Sequence, residues 1–143
     1  MTKDFFFQLR LVYFALEREK NSYFEKENLT ASQGDILLFL AGAKWRGNEV
    51  NQKDIETHFR LTNPTVTGLL NRLEEKGFVV RVKSEVDARQ KYIHLTKNGI
   101  SVLKRFKNHK EFLDEKIFKG FKKEDKADML DKMHVILENL KNE

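Results

Sequence analysis

The chain contains no cysteine. That absence removes disulfides, thiolate metal sites and thiol redox sensing together. It has a single proline, Pro64, so little in the backbone opposes long helices. Long apolar runs are also missing. Phe5, Phe6 and Phe7 stand together after Lys3 and Asp4, a run too short for the core of a signal peptide. No segment approaches the roughly 20 apolar residues of a membrane span. A cytoplasmic protein with no membrane association is the expectation. Internal repeats and low-complexity linkers are lacking as well. So are a nucleophile elbow, a Gly-rich phosphate loop, an HExxH pattern and a cysteine nucleophile, and no enzyme is expected. The histidines are His58, His94, His109 and His134. None has another histidine three or four residues away, and His109 with Glu111 or Asp114 is a weak ligand pattern. No metal and no cofactor are expected.

What is present is charge. The 143 residues carry 27 Lys and Arg against 22 Asp and Glu, a net charge of +5. The length suits one domain spanning 1–143. The basic excess suits a polyanionic partner without singling one out.

Taken in order, Phe5, Leu9, Val12, Tyr13 and Leu16 fall at helical spacing, and Tyr23 continues the stripe. A first helix is predicted from about Lys3 to Lys26. Thr30 with Gln33 three residues on forms a capping box for a second helix. Ile36, Phe39, Leu40 and Ala43 give it an apolar face as far as about Lys44. Glu49 and Val50 are read as a short strand joining a later hairpin. Asn51 caps a third helix, with Asp54 at its positive end and Ile55 and Phe59 facing inward. Arg60 to Thr62 is a turn. Either Thr62 or Asn63 caps a fourth helix; if Asn63, then Pro64 falls at its first position. Val66, Leu69, Leu70 and Leu73 form its inward stripe, and Gly77 ends it in the left-handed region.

Phe78, Val80 and Val82 alternate with Val79, Arg81 and Lys83, and Ile93 and Leu95 alternate with Tyr92 and His94. That pattern predicts two strands with one buried side. The connection from Ser84 to Gln90 is too long and charged for a tight turn. Helix, turn, helix and hairpin in this order make a winged helix-turn-helix. The outward face of the fourth helix carries Asn63, Thr65, Thr67, Gly68, Asn71 and Arg72, with no acid before Glu74. Small side chains allow close approach to a major groove, and Asn or Arg can pair with base edges. An ordinary solvated face would alternate Glu and Lys, as Glu74, Glu75 and Lys76 do. Arg81 and Lys83 extend the basic surface along the first strand. At the hairpin tip, Asp87 can hold Arg89 extended toward a narrow minor groove; alone, the two would be a surface ion pair worth little.

Thr96 caps a further helix, in which Ile100, Leu103, Phe106, Leu113 and Ile117 extend the stripe to about Lys119. Gly120 breaks it. A last helix from about Lys123 to Leu140 carries Met129, Leu130, Met133, Ile136, Leu137 and Leu140 on a broad face. So wide an apolar face calls for a second copy of the chain through a two-fold interface. The fold class is therefore mainly α with a small antiparallel β-hairpin wing. The DNA-binding winged helix spans about 30–97, flanked by dimerisation helices at about 3–26 and 97–141. Phe6, Tyr13, Phe39, Trp45 and Phe106 are read in two ways: as core packing, or as the lining of a cavity between the first, second and fifth helices.

The segments LTASQGDILLFL at 29–40, LTNPTVTGLLNRLEEKGFVVR at 61–81 and DARQKYIHLTKNG at 87–99 resemble the MarR family of transcriptional regulators. The helix–Leu-Glu-x-x-Gly–strand order, the Asp-x-Arg of the wing and the following Leu-Thr-x-x-Gly occur together at family spacing. The terminal helices match only in pattern. The resemblance implies a triangular, obligate homodimer built by its terminal helices. It implies binding to a palindromic double-stranded DNA operator, most often as a repressor, with release by a small ligand, such as an aromatic or amphipathic inducer, or by an oxidant. It carries Pro64, Thr65, Thr67, Asn71 and Arg72 over as recognition-helix contacts, and Asp87 and Arg89 as the wing pair. Two departures matter. The absence of cysteine excludes the thiol-oxidation branch. Gly68 stands where many relatives have a bulkier, often basic residue, so base preference does not transfer. The competing reading is a winged-helix module that dimerises and binds protein, with no DNA site.

Overall fold

A computed structural model describes residues 3–141. Among them the order is α1 (Phe5–Lys26), α2 (Ala31–Trp45), α3 (Gln52–Phe59), α4 (Asn63–Glu75), β1 (Val79–Lys83), β2 (Lys91–Leu95), α5 (Lys97–Ile117) and α6 (Lys123–Lys141). The chain divides into two compact units, one up to Lys107 and one from Asn108 on.

In the first unit each of the first four helices begins on a side-chain cap. Asp4 accepts from the Phe7 N–H. Thr30 and Gln33 form the expected capping box, and Asn51 and Asp54 form another. Thr62, not Asn63, caps α4, accepting from the Thr65 N–H at 3.4 Å. Pro64 is thus the second helical residue rather than the first. Its missing N–H still costs nothing, because the opening N–H groups of a helix have no intrahelical acceptor.

The helices also stop in a common way. After α1, the Leu29 N–H donates to the Phe24 carbonyl at 2.9 Å while Asn28 takes φ 64°. After α4, the Phe78 N–H donates to Leu73 across Gly77 at φ 82°. After α3, the Leu61 N–H donates to Glu56 across Arg60 at φ 54°. Each is a left-handed closure that satisfies the last carbonyls. Arg60 is the costly one, since a side chain crowds the backbone in that region.

The core of this unit gathers Phe24, Leu29, Ile36, Leu37, Leu40, Val50, Ile55, Val66, Leu70, Leu73, Val79, Ile93, Val102 and Phe106. Phe24 stacks on Phe106 with centroids 4.9 Å apart. A Cβ on Gly34 would lie 2.4 Å from the Phe24 ring, so α1 and α2 approach closely because residue 34 has no side chain. Lys20 ties the same two helices through Asp35 at 2.7 Å.

β1 and β2 form an antiparallel pair, with Val79 opposite Leu95 and Arg81 opposite Ile93. Val79 and Ile93 are buried. Val80 and Val82, the apolar members of the other register, lie on the outer side and are 42% and 39% exposed. They pair with His94 and Tyr92, so the outer side is semi-apolar rather than bare polar. The expected strand at Glu49 and Val50 is reduced to a single bridge. The Ile93 N–H donates to the Val50 carbonyl at 2.8 Å, and Asn51 bridges to Tyr92. Thr96 then locks the start of α5. Its hydroxyl donates to the Gly77 carbonyl at 2.6 Å and accepts from the Gly99 N–H at 3.1 Å. A Cβ on Gly99 would stand 2.4 Å from the Phe78 carbonyl, which explains the glycine there.

The second unit holds the rest of α5, the turn at Gly120 (φ 85°) and α6. Lys126 pairs with Asp114 and lies 4.7 Å from the centre of the Phe118 ring. No described residue of α6 is buried.

Candidate nucleic-acid interface

α4 is seated by its buried face. Val66, Leu70 and Leu73 are fully covered, and Ile55 of α3 is buried with them. Its position along α3 is set by polar links. Gln52 Nε2 donates to Thr67 Oγ1 at 2.8 Å and to the Asn63 carbonyl at 3.3 Å. Asn63 Nδ2 donates to Glu56 Oε2 at 2.9 Å. The hydroxyls of Thr62 and Thr65 share a hydrogen bond of 2.9 Å. Behind α3, His58 stacks on Phe39 with centroids 4.3 Å apart. Asn63 and Thr67, both expected to face outward toward a ligand, therefore have side chains engaged in holding the two helices at their angle.

Pro64, Thr65, Asn71 and Arg72 are exposed. The Cβ position of Gly68 has no atom within 4 Å, so the middle of the exposed face is a shallow notch open to an approaching surface. Arg81 reaches from β1 to α4, where its guanidinium donates to Asn71 Oδ1 at 2.9 Å. Lys83 is exposed at the end of the same strand. Thus Gly68, Asn71 and Arg72 follow the outer side of α4, and Arg81 and Lys83 lie along the strand beside it on the same side as Val79.

The wing tip is ordered by a serine. Ser84 Oγ accepts from the N–H groups of Val86 at 3.1 Å and Asp87 at 3.2 Å, and the Ser84 N–H donates to the Gln90 carbonyl at 2.9 Å. Asp87 Oδ1 accepts from the Arg89 N–H at 3.0 Å. Its distance to Arg89 Nε is 3.5 Å, and the Arg89 side chain is 94% exposed. The carboxylate thus shapes the backbone of the tip and leaves the guanidinium extended in solvent. An exposed pair of this kind contributes about 0–1 kcal/mol to stability, so its value lies in presentation.

The five aromatic candidates are dispersed. Phe106 is in the core against Phe24 and Tyr23. Phe39 packs on His58 and Phe59. Phe6 and Trp45 are 77% and 88% exposed, and Tyr13 is exposed. One cavity of about 260 Å³ lies away from them, lined by Leu40, Lys44, Val50, Ile93 and Leu95 with Glu49 and His94, and a wider, more open one of about 600 Å³ is lined by Phe39 with Arg46, Asp54 and His58. His94 Nε2 stands 2.7 Å from Glu49 Oε2 at the smaller one. Among the described residues no group of His, Asp and Glu is arranged to hold a metal.

Three contributors escape a reading by pattern. Gln52 and Glu56 look like ordinary solvent-facing positions of a short helix, and only the three-dimensional pairing with Thr67 and Asn63 reveals them. Ser84 lies in what reads as a charged loop, although a serine hydroxyl accepting from the N–H groups two and three residues on is a known turn signal.

Residues 27–90 match the model of the MarR family. Over 106 residues the chain is 34% identical to the transcriptional regulator MgrA of Staphylococcus aureus, covering 71% of this chain and 69% of MgrA. The fold superposes on MepR, a transcription regulator of the Staphylococcus aureus multidrug efflux pump MepA, with a TM-score of 0.81 at 23% identity, over 96% of this chain and 98% of MepR. It also superposes on MarR of Oenococcus oeni, with a TM-score of 0.63 at 25% identity, over 94% of this chain and 99% of the other. The chain belongs to the MarR family of winged helix-turn-helix transcriptional regulators.

Proposed function

We propose that the protein is a cytoplasmic repressor that binds a palindromic operator as a homodimer. The observation that carries this is the exposed face of α4, free of acid from Asn63 to Arg72 and bordered by Arg81, Lys83 and the extended Arg89. Neutral and basic side chains on a convex helix suit the negative potential and donor–acceptor edges of a major groove. The wing suits the adjoining minor groove, where an arginine is favoured. In this reading the α4 N-terminus, with Asn63, Pro64 and Thr65, approaches backbone phosphates, and Thr67 acts through its bond to Gln52. Asp87 keeps the wing in shape for Arg89.

Dimerisation is supported by two exposed apolar surfaces. α1 presents Phe5, Phe6, Leu9, Val12 and Tyr13, and α6 presents Met129, Leu130, Met133 and Leu137. Single exposed apolar residues are commonplace, but contiguous stripes of this size mark a contact surface. Phe6 and Tyr13 then serve the interface. Of the remaining aromatic candidates, Phe39 borders an open cavity with Arg46 and His58 and is the one assigned here to an inducer. No described helix is long and apolar enough to cross a membrane.

The test is selection of bound sequences from a pool of random duplexes. The expected products are inverted repeats whose half-site centres lie one helical turn apart, roughly 10 base pairs, with one dimer per duplex. A pool that yields no preference, together with capture of protein partners by the same face, would establish the protein-binding module instead.

A further inference from the structure

Arg81 and Asn71 were expected as separate DNA contacts, yet they are bonded to each other. The chemistry of that bond is directional. A guanidinium has only donors, so the atom facing it must be the amide oxygen of Asn71. Asn71 Nδ2 has no partner among the described residues, and the amide is exposed. Asn71 stands one turn after Gly68, whose missing side chain leaves the space beside it open. The spot therefore presents an unengaged amide NH₂, with two N–H donors, next to a cation.

The bond decides what such a spot can read. An asparagine pairs with adenine by accepting from N6–H₂ through Oδ1 while donating to N7 through Nδ2. Here one of the two lone pairs of Oδ1 is taken by Arg81, and the positive guanidinium beside it disfavours an incoming N6–H₂ donor at the other. Guanine offers two acceptors, O6 and N7, on the same edge. Resting on the DNA-binding reading above, we propose that Arg81 is a positioning residue that makes Asn71 a donor-only reader. The position it faces is then guanine-selective rather than adenine-selective.

The experiment repeats the selection from random duplexes with the full-length protein and four variants: Asn71→Ala, Arg81→Met, Arg81→Lys and Asn71→Asp. The operator position that loses its preference in Asn71→Ala is the position Asn71 reads. At that position the wild type is expected to favour guanine over adenine by about tenfold. Arg81→Met frees Oδ1, and adenine should rise to match or exceed guanine there while the rest of the operator is unchanged. Arg81→Lys keeps a cationic donor and should restore guanine. Asn71→Asp replaces the donor with an acceptor, holds the ion pair to Arg81, and should turn the preference toward cytosine or adenine, whose amino groups donate. The last variant tests the same point should Arg81→Met lose its fold, which its thermal midpoint reports. A wild type that enriches an operator with adenine at the Asn71 position, or an Arg81→Met protein with an unaltered guanine preference, would overturn the proposal while leaving DNA binding intact. A wild type that enriches nothing would overturn the DNA-binding reading, and the proposal with it.

Discussion

At the scale of single residues, close packing and burial make the sharpest demands. The Phe24 ring is fully buried and lies within 2.4 Å of where a Cβ on Gly34 would sit. Gly34→Ala should therefore cost about 1–3 kcal/mol by overpacking, although the same exchange in an open helix would stabilise. Chemical denaturation measures this; an unchanged or higher midpoint would show that α1 can move away freely. Tyr23 offers a second test. Its hydroxyl donates to the Val102 carbonyl at 2.9 Å. Burial, helped by the charge of Glu27 and opposed by Arg105, holds the phenol pKa above its ordinary value of 10.0. A raised pKa means that the neutral phenol is favoured by folding. The stability it contributes is complete below pH 10.0 and is lost as pH rises through the folded value. The stability gap between wild type and Tyr23→Phe should accordingly be widest at neutral pH and narrow under alkali; a gap that widens with pH contradicts this. Caps are the residues best read in advance. Thr30 with Gln33 and Asn51 with Asp54 depend on neighbours three positions away, and a local rule finds them. Arg60 in a left-handed closure was not legible, because nothing in its chemistry favours that conformation.

At the scale of elements, the order of helices and hairpin follows from hydrophobic period alone, and so does the inward stripe of α4. What period cannot supply is the angle between α3 and α4. That depends on Gln52 reaching Thr67, across fifteen positions in sequence. Gln52→Ala should lose about 1 kcal/mol of binding to the selected operator, on the order of one hydrogen bond, with little change on a scrambled duplex. Equal losses on both would make Gln52 a general phosphate-facing residue instead. The strand register shows a similar limit. Phe78, Val80 and Val82 are the more apolar alternation, but Val79 is the buried residue, a member of the core, while Arg81 on the same side of the strand reaches Asn71 of α4. A polar residue on an inward face is explained by a specific partner, here Asn71, and partners are not visible in a period.

At the scale of the whole molecule, the sequence pattern of the terminal helices was readable as a surplus of apolar surface. In α1 the surplus is exposed along the first three turns, and α6 buries none of its described residues. The proposed partner for both is a second chain. Val12→Glu on α1, or Leu130→Glu on α6, should convert a two-chain particle to a one-chain particle in sedimentation and abolish binding to an inverted repeat. A variant that stays a dimer on DNA would move the interface elsewhere. Phenylalanines at helical spacing serve a core, an interface or a pocket equally well, so period leaves the aromatic candidates unassigned. Phe106 is core, Phe39 packs on His58, and Phe6 and Trp45 are exposed.

The central claim is that α4 and the wing form one surface for DNA. It is tested most directly by fluorescence anisotropy on the selected duplex and on a scrambled one across a salt series, for wild type and Arg89→Ala. Tight binding to the selected duplex alone is expected. Affinity should fall linearly with salt on logarithmic axes, with a slope about 1 unit shallower in Arg89→Ala for the one charge contact removed. An identical slope and affinity in the variant would take the wing out of the interface. Equal binding of both duplexes by the wild type would contradict sequence reading by α4.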